Sequence, residues 1–347
     1  MLQPVLFYAV TAFISAFLSA FLFRRVAFMT GILDQPADRK IHAAAIPLLG
    51  GAAILTGVLL PLSLMGGLRD REVALLLSTG AIVFIVNLID DARGLSARLR
   101  FVIEVALALV LIFGADARIS FLPQGFIFDA IEVLLTVIWF VGLTNAVNYL
   151  DGMDGLASGL AGIAASFFAF MLLYTNQLPL GFLALAIAAA SLGFLPHNFP
   201  KAGMFLGDAG STFIGFMLAG IGAMGGWAQF DMVRIAAPVL VLGVPIFDMT
   251  FTTIKRIATG KVHNVTEWLR YSGKDHFHHS LVDLGLSRRT AVMFIWLVAF
   301  ALGLSGVMVR GAYTLVGIVT LLQAMMIFWI IGILIVVGNQ KQTGWHL

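Results

Sequence analysis

Apolar residues run in long blocks along this chain, and short polar stretches separate them. A block of about 17–25 apolar residues can cross a bilayer as one helix. Eleven blocks fit that length: 5–23, 46–68, 73–89, 99–115, 130–148, 155–174, 178–196, 209–225, 235–254, 291–309 and 314–338. The pattern predicts an all-α polytopic membrane protein of ten or eleven transmembrane helices. It forms a single integral-membrane domain over residues 1–347, with one long loop at 255–290. The linker 116–129, containing "RISFLPQGFIF", is read as a short hairpin. The first block has no basic region before it and is followed by Arg24 and Arg25, which fits an uncleaved helix better than a signal peptide. No repeat or low-complexity tract is visible, nor the inverted halves common in transporters.

Composition agrees. Of 347 residues, 60% are apolar and 11% charged, against about 25% charged in an average soluble chain. There is no cysteine, which removes disulfide and thiol chemistry. The net charge of +3 is too small to suggest nucleic acid as a partner. Its distribution says more. With eleven crossings the linkers fall into two alternating sets, and 16 of the 21 Lys and Arg lie in one of them. The positive-inside rule puts that set in the cytoplasm and the N-terminus outside. Every polar cluster below falls in the same set, as expected for one cytoplasmic active-site cleft built from several loops.

The first cluster is "NLIDD". Asn87 lies three and four residues before Asp90 and Asp91, so all three share a helix face. Adjacent carboxylates repel unless a cation is near. They read either as a general base beside Mg²⁺ or as a solvated helix end with Asp91 paired to Arg93 or Arg98. In "NAVNYLDGMDGL", Asn145, Asn148, Asp151 and Asp154 step by three. Four oxygen-bearing side chains at that spacing suit a hard cation or polar ligand. A turn with Asp154 as helix cap explains only one of them. In "FLGDAGST", Asp208 precedes a span at the positive end of a helix dipole, where it can hold Mg²⁺ while amides face phosphate. Capping by Asp208 or Ser211 is the plainer reading.

The loop 255–290 carries "GKDHFHHSL", with Lys274 beside His276, His278 and His279, and seven basic residues against three acids. Positive-inside bias explains much of that charge but not the histidines. A zinc site is a weak alternative, because structural zinc favours Cys or wider His spacing. Neutral histidines can donate hydrogen bonds to a phosphate or sugar. In "DRKIHAAAIPLLGG", Lys40 and His42 precede a Pro–Gly turn and read most simply as an ordinary loop. Glu104 and Asp248 lie in or beside spans, and spacing assigns neither a role. Together the clusters predict an acidic, Mg²⁺-bearing site at the membrane face, suited to a diphosphate in water and a partner in lipid.

The ordered set "RKIHAAAIPLLGG", "NLIDD", "NAVNYLDGMDGLA", "FLGDAGSTFIG", "VPIFD" and "DHFHHSL" resembles the polyprenyl-phosphate N-acetylhexosamine-1-phosphate transferases, from about residue 30 to the last span. The resemblance implies a bundle of ten or eleven helices with a cytoplasmic cleft. It implies Mg²⁺ (or Mn²⁺), a UDP-sugar donor, undecaprenyl phosphate as acceptor and UMP as leaving product. By the same resemblance Asp90 and Asp91 form the acidic pair, with Asp90 the candidate base. Asn148 and Asp208 hold Mg²⁺, Asp151 and Asp154 lie near the nucleotide, and Phe205 stacks on uracil. Lys40 lines the nucleotide cleft, and His276, His278 and His279 meet the diphosphate or sugar.

"HFHHSL" departs from the three consecutive histidines of the branch that uses UDP-MurNAc-pentapeptide. "VPIFD" and "LGLSRRTAV" look more like the branch that starts O-antigen, enterobacterial common antigen or teichoic-acid linkage units. UDP-GlcNAc is therefore the expected donor and the bacterial inner membrane the expected location, with a homodimer allowed for. The MurNAc-pentapeptide transferase is the alternative within the class. An ion-coupled transporter would instead gather its polar residues near mid-membrane.

Overall fold

The computed structural model describes residues 2–35, 45–227, 235–264, 267–268, 273, 275–310 and 313–342. Contacts gather into two compact units, Met1–Gly226 and Trp227–Leu347.

Among its described residues the first unit holds eight α-helices: α1 Leu2–Thr30, α2 Gly50–Leu64, α3 Arg71–Arg93, α4 Ala97–Gly114, α5 Phe126–Leu150, α6 Leu156–Tyr174, α7 Leu178–Asn198 and α8 Gly207–Met224. A two-residue antiparallel ladder joins β1 (Leu33–Asp34) to β2 (Ile46–Pro47). The block expected as one span over 46–68 therefore starts as a strand and yields a helix of only 15 residues. Among the described residues, seven helices of the whole chain are long and apolar enough to cross a membrane unaided. The protein is an all-α, multi-pass membrane protein. The blocks outside that seven have visible reasons. α2 is short, α4 carries Arg98, Arg100 and Glu104, and α8 is buried on nearly every side.

α8 is the centre of this unit. It packs on α2, α3, α5 and α6, and Phe213, Phe216 and Met217 are fully buried along it. Between helices in lipid, close packing rather than water release supplies the attraction, so small residues mark the contacts. A Cβ on Gly51 of α2 would lie 2.3 Å from the Gly210 Cα of α8. One on Gly215 would lie 2.9 Å from the Thr144 Cα of α5. By contrast Leu18, Phe21 and Leu22 of α1 and Leu134 and Ile138 of α5 are exposed, an apolar surface that suits lipid.

The linker before α5 is not a hairpin. It is an irregular segment fastened to the helix by Glu132, which sequence reading passed over. The Glu132 carboxylate accepts hydrogen bonds from Ser120 Oγ (2.6 Å) and from the amides of Phe121 (2.7 Å) and Leu122 (2.8 Å). Three donors on one buried carboxylate leave little reason for the strands of a hairpin to pair. Glu132→Gln is expected to lower stability by roughly 2 kcal/mol, the scale of hydrogen bonds to a charged group. Thermal unfolding in detergent checks this.

The second unit comprises α9 Ala236–Val241, α10 Gly243–Ala258, α11 Phe277–Asp283, α12 Arg288–Val309 and α13 Thr314–Gln342. The block 235–254, expected as one helix, breaks at Leu242. Pro245 explains the break, because it lacks an amide hydrogen and its ring clashes with the carbonyl four residues earlier. Along α10, Asp248, Thr252 and Arg256 are spaced by four and all buried, so its polar stripe faces inward. The long loop after it contains α11, which carries the histidines.

Candidate active site

Three helix ends meet in the first unit. α3 closes on Gly94, whose φ of 73° is readily adopted by glycine, and its last turn holds Asp90 and Asp91. Asp91 does not pair with Arg93 or Arg98. It reaches α8 instead and accepts the amides of Asp208 (3.3 Å) and Ala209 (3.2 Å). α8 starts at Leu206 without a side-chain cap of its own. Asp91 thus caps it from another helix, satisfying amides that the helix cannot. Neither Asp208 nor Ser211 is the cap.

Asp90 is paired with Arg100 of α4 at 2.6 Å, and its other oxygen accepts the Leu95 amide. The same guanidinium reaches Asp208 at 3.5 Å. The Asp208 side chain remains 46% exposed and that of Asp90 12%. Asn148, near the end of α5, accepts from Ser211 Oγ at 3.0 Å, one turn along α8 from Asp208. Asp151 follows at the C-cap of α5. Asp154 does not cap α6, whose N-cap is Gly155 with φ 75°. It accepts the Ala202 amide at 3.0 Å and so ties down the segment before Phe205. Backbone bonds from Phe205 N to Pro47 O (2.8 Å) and from Gly50 N to Phe205 O (3.0 Å) set that residue beside the start of α2, its ring half-buried.

Asn145 turns from this cluster to Glu104, donating to its Oε2 at 2.8 Å. Asn87 is buried, its amide nitrogen on Val83 O at 2.9 Å, and its Oδ1 has no partner among the described residues. Lys40, His42 and Lys274 lie outside the described residues.

The electrostatics follow from the crowding. Burial first, then the negative charges of Asp208, Asp91 and Asp154, push the Asp151 carboxyl well above its ordinary 3.8. The sign of the linkage is fixed by that direction. A raised native pKa gives stability that is full below pH 3.8 and lost as pH rises through the native value. In EDTA the unfolding temperature is expected to fall as pH rises over that range. Asp151→Asn should flatten the fall, and added Mg²⁺ should reduce it in the parent.

Among the described residues no three His, Asp or Glu side chains form a ready-made metal group. The donor set still fits Mg²⁺, which keeps most of its waters and takes one or two carboxylates plus substrate phosphates. Asp208 and Asn148 offer adjacent hard oxygens. Asp90, Asp91, Asp151 and Asp208 crowd together, and among the described residues Arg100 is the cation within salt-bridge reach of them.

The second unit holds the histidines. His276 lies between Asp248 and Arg256, and all three are buried. His278 is 1% exposed, and neither ring nitrogen has a partner among the described residues. Burial, the largest cause, pushes its pKa down to about 3. The His279 ring is half-buried beside it, at a centroid distance of 4.2 Å. Sequence reading missed Arg100 and Arg256. The four-residue spacing of Asp248, Thr252 and Arg256 was a legible signal for the second. Arg100 lay unmarked among several basic residues.

Residues 73–226 match the family model of glycosyl transferase family 4. A protein of Bacillus subtilis named "Probable undecaprenyl-phosphate N-acetylglucosaminyl 1-phosphate transferase" is 33% identical, over 90% of this chain and 88% of its own length. The Mycobacterium tuberculosis decaprenyl-phosphate N-acetylglucosaminephosphotransferase is 30% identical, over 85% of this chain and 80% of its own. The Escherichia coli undecaprenyl-phosphate alpha-N-acetylglucosaminyl 1-phosphate transferase is 28% identical, over 93% and 89%. With these likenesses extending over nearly all of the chain, and with the acidic helix ends inside the matched region, the chain belongs to glycosyl transferase family 4.

Proposed function

We propose that this protein transfers N-acetylglucosamine-1-phosphate from UDP-GlcNAc to a polyprenyl phosphate, undecaprenyl phosphate in bacteria, and releases UMP. The names of the relatives support the sugar phosphate and the lipid class. The observation that carries the reading is the convergence of Asp90, Asp91, Asn148, Asp151 and Asp208 on three helix ends, with Arg100 between two of the carboxylates. Such a cluster asks for a cation and, through it, for a phosphate ligand. The charge bias of the linkers supports a site on the cytoplasmic side of the membrane with the N-terminus outside.

In this reading an oxygen of the lipid phosphate attacks the phosphorus that bears the sugar. A new P–O bond forms, the bond to the bridging oxygen breaks, and UMP leaves with that oxygen. Asp208 and Asn148 would hold Mg²⁺, which offsets the diphosphate charge and eases departure of UMP. Asp91 fixes the N-terminus of α8, so Asp208 in its first turn stands still. Asp90 takes the proton of the lipid phosphate if it arrives as a monoanion. To do so, it must give up part of its bond to Arg100, and the incoming phosphate is the natural new acceptor for that guanidinium. The likeness of "DHFHHSL" to the family motif assigns His278 and His279 to the donor's diphosphate or sugar.

The test is UMP release by the purified protein in detergent with undecaprenyl phosphate and Mg²⁺, offering UDP-GlcNAc, UDP-GalNAc and UDP-MurNAc-pentapeptide in turn. Release that needs lipid and metal, fastest with UDP-GlcNAc, is the expected result. No release with any donor from folded protein would overturn the reading.

A further inference from the structure

Asp248, His276, Arg256 and Asp275 form one buried chain of hydrogen bonds. Asp248 Oδ2 lies 2.7 Å from His276 Nδ1, and Asp248 Oδ1 accepts the Phe277 amide at 2.6 Å. Across the ring, Arg256 Nη2 lies 3.1 Å from His276 Nε2. Arg256 then donates from Nε (3.0 Å) and Nη2 (2.7 Å) to the Asp275 carboxylate. An ionised carboxylate only accepts and a guanidinium only donates. The two neighbours are therefore satisfied together by one assignment, with the proton on Nδ1 and the lone pair on Nε2.

That ring stands against His278. The two imidazoles are nearly parallel, 10° apart with centroids 5.9 Å apart, within the range of offset stacking. His278 has no hydrogen bond of its own among the described residues. Packing alone then sets its plane, and His276 supplies one of the surfaces it packs on.

We propose that Asp248 and Arg256 are positioning residues that lock His276 as its Nδ1–H tautomer, and that this fixed ring sets the plane of the His278 imidazole. The proposal rests on the transferase reading above. It gives Asp248, which spacing alone left without a role, a definite one. It also takes His276 out of direct substrate contact, because both its nitrogens are already engaged.

The lock can be reversed on paper. In D248N the new amide can accept the Phe277 N–H only by turning its NH₂ toward His276 Nδ1. That forces the proton to Nε2, where it meets the donor face of Arg256. In D248N/R256Q the glutamine carbonyl can accept from Nε2–H while its NH₂ donates to Asp275. One negative and one positive charge leave together, so the local net charge is unchanged.

The experiment uses the full chain in detergent, labelled with ¹⁵N-histidine, with H276Q to identify the resonances. Wild type should show His276 with a pyrrole-type Nδ1 and a pyridine-type Nε2, and D248N/R256Q the reverse. D248N and R256Q alone should each lower kcat for UMP release by at least about tenfold, ~1.4 kcal/mol. The double variant should exceed both, since contacting residues are not additive. A wild-type His276 protonated at Nε2 would overturn the lock, as would a double variant less active than either single. No UMP release from wild type would overturn the transferase reading and the positioning role with it. Normal release from D248N would overturn the positioning role alone.

Discussion

Asp208→Asn is expected to lower UMP release by about 10²–10³-fold, the usual cost of removing one group that stabilises charge in a transition state. The substitution keeps size and shape and removes one charge. Asp208 is the more exposed of the two carboxylates tied to Arg100, at the first turn of α8, and Arg100 already orients it. The helix itself should stay in place, because Asp91 caps it and Asp208 does not. The unfolding temperature should therefore hold or rise, as crowding among the acids is relieved. Residual turnover should need more Mg²⁺ than the parent. A Mg²⁺ titration of UMP release on the two proteins, beside a thermal scan, reads both effects. Parental turnover at parental Mg²⁺ would remove Asp208 from the metal site.

His278→Phe should separate activity from stability still more sharply. His278 is buried, and both ring nitrogens lack partners among the described residues. Leaving polar atoms unsatisfied in the interior costs free energy, so an apolar ring of similar shape is expected to match or raise the unfolding temperature. Activity should fall about 10²–10⁴-fold if the ring donates to, or takes a proton from, the substrate. The pH dependence carries its own signature. The native pKa is pushed below the ordinary 6.5 to about 3. A depressed native pKa means stability that is full above pH 6.5 and lost as pH falls toward about 3, because the unfolded chain takes a proton that the buried ring refuses. His278→Phe should remove that part of the acid slope. Unfolding temperatures of both proteins from pH 7 to 4 would show it, and equal slopes would mean that the ring is not buried neutral.

Length and hydropathy decided the class of this protein. Blocks of apolar residues long enough to span a bilayer left no other architecture, since backbone amides in lipid must be satisfied within helices. Asp90–Asp91, Asn148, Asp151, Asp154, Asp208 and the histidines stood out as candidates because polar and ionisable groups at the ends of such blocks are costly. Sequence did not tell which partner each would take. Asp91 was offered Arg93 and Arg98, its neighbours along the chain, yet it caps α8, 117 residues away. Asp90 took Arg100, which spacing had not singled out. Glu132 went unread because one acid in an apolar block carries no period. Only the fold shows the amides gathered on it. Local spacing governs which residues share a helix face. Which helix ends lie side by side depends on small residues such as Gly51, Gly210 and Gly215, spread along separate helices and useful only in pairs. The hydrophobic pattern thus set the helical class and marked the candidate chemistry. Tertiary packing alone decided which carboxylate holds a helix, which is tied to arginine and which stands open to a ligand, because those are contacts between segments far apart in the chain.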